Sequence, residues 1–180
     1  PTRRMRTSDA GAARPIPCAV IGLGNPLMGD DGLGLAMLER LLDGWEVPDE
    51  VQLVDGGTWG MRLLPLIEDA ERLLLLDAIN LGLEPGTAIV LGREEIPRYL
   101  SVKLSPHQVD LRDTLAAAEL RDTLPPEIVA IGLQPERVEM SVALSPVLER
   151  RLDDLMATVV RQLEAWGWAC RRREAVACTR

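Results

Sequence analysis

The chain of 180 residues has no phenylalanine, and aromatics make up only 3% of it. Leu, Val, Ile and Ala must therefore fill the core, and the stacking platforms of many single-strand nucleic-acid binders are missing. Cysteine is scarce as well. Cys18, Cys170 and Cys178 show no metal-ligand spacing, and an odd count without a secretory signal fits a reducing cytoplasm. Cys18, at the start of an apolar run, reads as a small buried residue. No apolar stretch reaches membrane length, and the Arg-bearing N-terminus has no apolar segment behind it. The expectation is a soluble cytoplasmic protein with no membrane partner.

Net positive charge is confined to the two ends of the chain. The net charge is −8, yet residues 1–17 and 171–180 each carry four Arg against one acid. The body from Cys18 to Cys170 therefore holds about −14, which repels phosphate backbones and argues against a nucleic-acid partner. With 47% hydrophobic and 27% charged residues, the composition is that of a globular domain with one core. No repeat or linker divides it. The expected organisation is an extension over 1–16, a single domain over 17–168 and a tail over 169–180.

What is present is a run of strands and helices in alternation. Cys18 to Gly22 is an apolar first strand. Leu33, Met37, Leu38, Leu41 and Leu42 recur at helical spacing until Asp43-Gly44. Val51 to Val54 forms a second strand, and Thr58 is a candidate N-cap for a helix to about Ile67. Arg72 to Asp77 reads as a third strand buried on both faces. The Pro85-Gly86 turn leads into Thr87–Leu91, a fourth strand and candidate hairpin partner. Ser105-Pro-His-Gln108 is a helix start with a capping box, and the helix runs to about Leu120. Ile128 to Leu133 supplies the fifth strand, and Ser145-Pro146 opens a last helix reaching Trp166. This order predicts a three-layer α/β/α domain around a mostly parallel five-stranded sheet with one antiparallel strand.

The chemistry gathers at one edge of that sheet. Val20 to Gly34 holds five glycines around two adjacent carboxylates, Asp30 and Asp31, between an apolar strand and a helix. Asp31 follows strand one, Asp55 ends strand two and Asp77 ends strand three. Ligands of open α/β sheets bind at the carboxyl ends of the strands, where the strand order switches. The sole histidine, His107, stands at the second position of its helix, where the positive end of the dipole favours a neutral imidazole. Two carboxylates and a neutral imidazole suit a divalent ion such as Ni, Zn, Fe or Mn. The alternatives are ordinary ones: aspartates that cap a helix, and a histidine that serves structure.

Several motifs occur in order: Gly22-Leu-Gly-Asn-Pro-Leu-Met-Gly-Asp-Asp-Gly-Leu-Gly34, Asp55-Gly-Gly-Thr58, Leu76-Asp-Ala-Ile79, Ser105-Pro-His-Gln108 and Gly132-Leu-Gln-Pro135. Together they resemble the hydrogenase maturation endopeptidases over about residues 18–166. The resemblance implies a twisted five-stranded sheet and a cytoplasmic protease. It would remove the C-terminal extension of a nickel–iron hydrogenase large-subunit precursor after nickel insertion; a monomer is expected. It places the family's metal-binding residues on Asp31, Asp77 and His107, and a substrate-handling role on Asp55. Those four form the expected catalytic set. The nickel would be that of the precursor, read by the site as a sign of loading. An alternative is metal-assisted hydrolysis with Asp55 or Asp30 as base. So open a site selects poorly, and Cd or Zn is expected to fit it in isolated protein.

Three other classes fit less well. A dinucleotide site would need a third glycine where Asn25-Pro-Leu27 stands. The Gly22-Leu-Gly-Asn-Pro26 run resembles the opening motif of peptidyl-tRNA hydrolases, but Leu27 replaces a Gly and the acidic body repels tRNA. A non-enzymatic nickel carrier or assembly factor would be expected to show His-rich or Cys-rich stretches, and there are none.

Overall fold

The computed structural model describes residues 15–96 and 106–173, and of the third helix the side chains from residue 111 onward. The central sheet contains β1 (Cys18–Leu23), β3 (Val51–Gly57), β4 (Arg72–Ala78), β5 (Ala88–Gly92) and β6 (Glu127–Leu133), in the order β3-β1-β4-β6-β5. Three pairings are parallel, and β5 runs antiparallel to β6. Among the described residues the α-helices are α1 (Leu33–Gly44), α2 (Leu64–Asp69), α3 (Pro106–Leu120) and α4 (Pro146–Ala165). The predicted three-layer α/β/α class, with its single antiparallel strand, is the fold observed.

Two apolar layers follow from the period-two alternation of the central strands. Ala19, Ile21 and Leu23 of β1, with Leu73 and Leu75 of β4, face α2 and α3 through Leu63, Ile67, Leu111, Leu115 and Ala118. Val20, Leu74 and Leu76 face α1 and α4 through Met37, Leu41, Leu152, Met156 and Val159. Burial on both faces explains why β4 reads as an unbroken run of leucines rather than an alternation. Each of those leucines is fully buried, a contribution of about 1.5–3 kcal/mol apiece against the exposed chain.

Two local features differ from the sequence expectation. Thr58 caps no helix. A turn places Trp59 N on Gly56 O, Gly60 adopts a left-handed φ of 51°, and a 3-10 turn over Gly60–Leu63 precedes α2. A helix from Thr58 could not pass through that left-handed residue. The second feature is a small antiparallel sheet of β2 (Trp45–Glu46) with β7 (Arg171–Arg172), which brings residues 171–173 beside the end of α1. The expected cap Ser105 lies outside the described residues, although α3 begins at Pro106, as the Pro-at-first-turn signal requires.

Candidate active site

The sheet order creates one crevice suited to a ligand. The chain leaving β1 travels through α1 to β3 on one side, and the chain leaving β3 crosses through α2 to β4 on the other. Connections therefore diverge between the carboxyl ends of β1 and β4, the switch point where open α/β sheets bind their ligands.

Asp31 and Asp77 stand on the two sides of that crevice. Asp31 lies in a 3-10 turn, Gly29–Gly32, between β1 and α1, and is 1% exposed. Its Oδ2 accepts a hydrogen bond from Asn25 N at 3.0 Å, which closes the loop on itself. Asp77 is fully buried near the end of β4, and its Oδ1 accepts from Ala78 N at 2.8 Å. The turn carrying Asp31 packs against β4. Gly34 makes that approach possible, since a Cβ there would collide with the carbonyl oxygens of Leu76 and Leu23. On the other flank, Gly132 pairs with Asp77, and a Cβ would strike the Asp77 carbonyl.

His107 is the second residue of α3, as the sequence predicts, and its side chain lies outside the described residues. Its helix is placed by the apolar contacts of Leu111, Leu115 and Ala118 on the face toward which Asp77 points, by alternation with Leu73 and Leu75. The body of α3 packs on the Gly60–Leu63 turn that follows β3, with Thr114 Oγ1 donating to Met61 Sδ at 3.4 Å. Because α3 then leads back to the start of β6, its N-terminus stands at the carboxyl edge of the sheet. Asp55 is at that edge too, in register with Gly22, but it is exposed on the neighbouring strand rather than buried with Asp31 and Asp77. Among the described side chains no three His, Cys, Asp or Glu form a metal cluster.

Two functions at this edge were not legible in the motifs. Asp30 is as buried as Asp31, but its carboxylate is committed to backbone. Oδ1 accepts from Ser145 N at 2.6 Å, and Oδ2 accepts from Glu136 N at 2.8 Å and Arg137 N at 3.1 Å. It staples the Asp31 loop to the segment between β6 and α4. Gln134 performs a similar service for the loop after β4. Its Oε1 accepts from Leu81 N and Leu83 N, and its Nε2 donates to Asn80 Oδ1 at 2.8 Å. Buried carboxylate or amide types at strand ends were the available signal; their partners, many residues away, were not.

Two buried carboxylates at the switch point of a mostly parallel sheet, with glycines clearing the approach, make the carboxyl edge the candidate site of this α/β domain. Comparison with known proteins makes the class specific. Residues 36–162 match the family model described as hydrogenase maturation protease. The hydrogenase expression/formation protein HupD of Rhodobacter capsulatus is 37% identical over 158 residues, covering 87% of this chain and 75% of the relative. The hydrogenase 2 maturation protease of Escherichia coli K12 is 34% identical, covering 87% and 96%. The solved hydrogenase maturating endopeptidase HybD of E. coli superposes with a TM-score of 0.84 at 33% identity, covering 87% and 98%. The chain belongs to the hydrogenase maturation protease family, and it is a peptidase. That membership displaces the dinucleotide-binding and peptidyl-tRNA hydrolase readings.

Proposed function

We propose that this peptidase removes the C-terminal extension of a nickel–iron hydrogenase large-subunit precursor once nickel has been inserted. Asp31, Asp77 and His107 engage the nickel already lodged in the precursor, which is therefore part of the substrate. The observation that carries this reading is the burial of two carboxylates, Asp31 just after β1 and Asp77 near the end of β4, the two strands that flank the switch point, with Asp77 on the face of the sheet where the helix beginning Pro106-His107 packs. Carboxylate oxygen and imidazole nitrogen suit a borderline divalent ion and leave positions open for the ligands it already has.

In this reading the nickel docks the precursor and fixes the scissile bond above the sheet edge. Cleavage requires water to add to the peptide carbonyl, the C–N bond to break and the departing amine to take up a proton. Asp30, held by three backbone amides, is not free to shuttle that proton. Asp55, exposed on the adjacent strand end, is the carboxylate left to accept it from water and return it to the amine. Requiring loaded metal before cleavage separates finished from unfinished precursor.

Incubating the purified protein with nickel-loaded precursor, and weighing the precursor by mass spectrometry before and after, tests the proposal. The expected result is loss of one C-terminal peptide from loaded precursor and none from nickel-free precursor. Equal cleavage of the two forms would remove nickel recognition; an unchanged mass in both would leave an assembly role without proteolysis.

A further inference from the structure

Nine large hydrophobic side chains are exposed among the described residues, and six of them stand on loops that leave the carboxyl ends of the strands. Leu27 follows β1, Trp59 and Met61 follow β3, Leu83 follows β4, and Met140 and Val142 follow β6. The same edge carries Asp31 and Asp77. Isolated exposed leucines are common on any protein, but such concentration around one crevice is the mark of an interaction surface.

The densest part of the patch is also the most firmly held. Met28 and Ser141 form a parallel bridge, with Ser141 N donating to Leu27 O at 3.0 Å and Gly29 N donating to Ser141 O at 2.7 Å. The neighbours of the bridging pair, Leu27, Met140 and Val142, are 60%, 90% and 84% exposed. Asp30 pins both ends of the segment through the amides of Glu136, Arg137 and Ser145. Three apolar side chains on a backbone tied at so many points are displayed, not merely left over, and a preorganised surface loses little entropy on binding. Of the flanking charges, Arg137 pairs with Glu139, Nη1 lying 3.2 Å from Oε1, so the three apolar side chains are the main contact the patch offers.

We infer that Leu27, Met140 and Val142 form the docking surface for an apolar segment of the polypeptide being processed. This rests on the proposed function, and the occupant follows from continuity: Leu27 is four residues from Asp31 in one loop, so a protein presenting its nickel to Asp31 must lie against it. The segment from Glu136 to Ser145 thus acts as a second wall of the site, held to the first by Asp30. A wall of this kind selects the folded precursor, beyond the metal it carries.

The test uses the full chain and purified nickel-loaded precursor. The double variant Met140→Asp, Val142→Asp should weaken precursor binding, read by calorimetry, at least tenfold. KM should rise to match, with kcat within twofold and thermal unfolding unchanged. Met140→Leu with Val142→Ile should restore wild-type binding. Leu120→Asp, at an 89% exposed position at the opposite edge, should leave binding and KM as they are. Unchanged binding and KM in the double variant would overturn the docking surface while wild-type cleavage still upheld the protease reading. Binding without cleavage by the wild type, still weakened in the double variant, would sink the protease reading and keep the surface. Equal weakening by Leu120→Asp, or a change in sedimentation showing that the patch pairs two copies of this chain, would also overturn it.

Discussion

Asp30 and Asp31 are chemically identical neighbours, and their surroundings give them different work. Asp30 spends both oxygens on three amides more than a hundred residues along the chain. Replacing it with Ala removes the acceptor of three amides, the Ser145 amide among them buried, and hydrogen bonds to a charged group are worth about 1.5–3 kcal/mol each before compensation. Asp30→Ala should therefore cost on the order of 3 kcal/mol in urea unfolding; a variant as stable as wild type would remove the staple. Asp31→Asn, by contrast, keeps the shape and an acceptor for Asn25 N while losing the charge that favours a cation. It should abolish nickel-dependent shortening of the precursor with stability within about 1 kcal/mol of wild type, the range of an isosteric swap. His107→Ala should behave the same way, since the first turn of a helix tolerates Ala. Normal processing by either variant would take that residue out of the set. The sequence marked both aspartates, because they follow an apolar strand and precede a helix, and only the family resemblance put the metal-binding role on Asp31. It could not assign Asp30 its role, because the amides that define that role come from the far side of the fold.

At the scale of elements, the glycines between β1 and α1 set how closely the helix can approach the sheet. Gly34 is where α1 meets the carbonyls of Leu23 and Leu76, one residue short of Asp77. Gly34→Ala should push the start of α1 outward, with an overpacking cost of about 1–3 kcal/mol, and move Asp31 away from β4. The expected outcome is a lowered Tm together with lost processing; a variant with wild-type values for both would mean that the contact is not limiting. The strands and the long helices were legible because their signals are dense. β4 has four consecutive leucines, and α4 repeats buried Leu148, Leu152, Leu155, Met156 and Val159 along one face. Weak signals misled. Thr58 has the chemistry of a cap, but Gly60 turns left-handed two residues later, a choice made by the packing of the Gly60–Leu63 turn on α3. The β2–β7 pair is two residues long on each side, too short for any pattern, and exists because residues 171–173 return to the end of α1.

The whole molecule divides its labour between the two edges of the sheet. The carboxyl edge carries the close-approach glycines, the two buried carboxylates and six exposed apolar side chains, while at the amino edge the segment 166–173 packs over the starts of β1 and β4. There Arg72 lies over the ring of Trp168 at 5.4 Å and pairs with Glu127 at 2.9 Å, Trp166 meets Trp168 edge-on at 6.4 Å, and Arg172 lies 5.6 Å from the centre of Trp45. Cys18 starts β1 beneath this cover and is fully buried. Burial pushes its thiol up from 9.0 to about 12; nearby Arg72 opposes the shift, and Cys170 adds to it. The native state therefore keeps a proton that the unfolded chain releases near 9, and stability falls as pH rises from about 9 toward 12. The slope reaches about 1.4 kcal/mol per pH unit, and Cys18→Ala removes it. Urea unfolding of both proteins should show wild type ahead at pH 8, where the sulfur fills its site and both states hold the proton. By pH 10.5 that lead should shrink by roughly 2 kcal/mol, as one and a half units of unfolded-state ionisation require. A lead that stayed constant would mean that the thiol can ionise in place, with water reaching the start of β1 beneath Trp168.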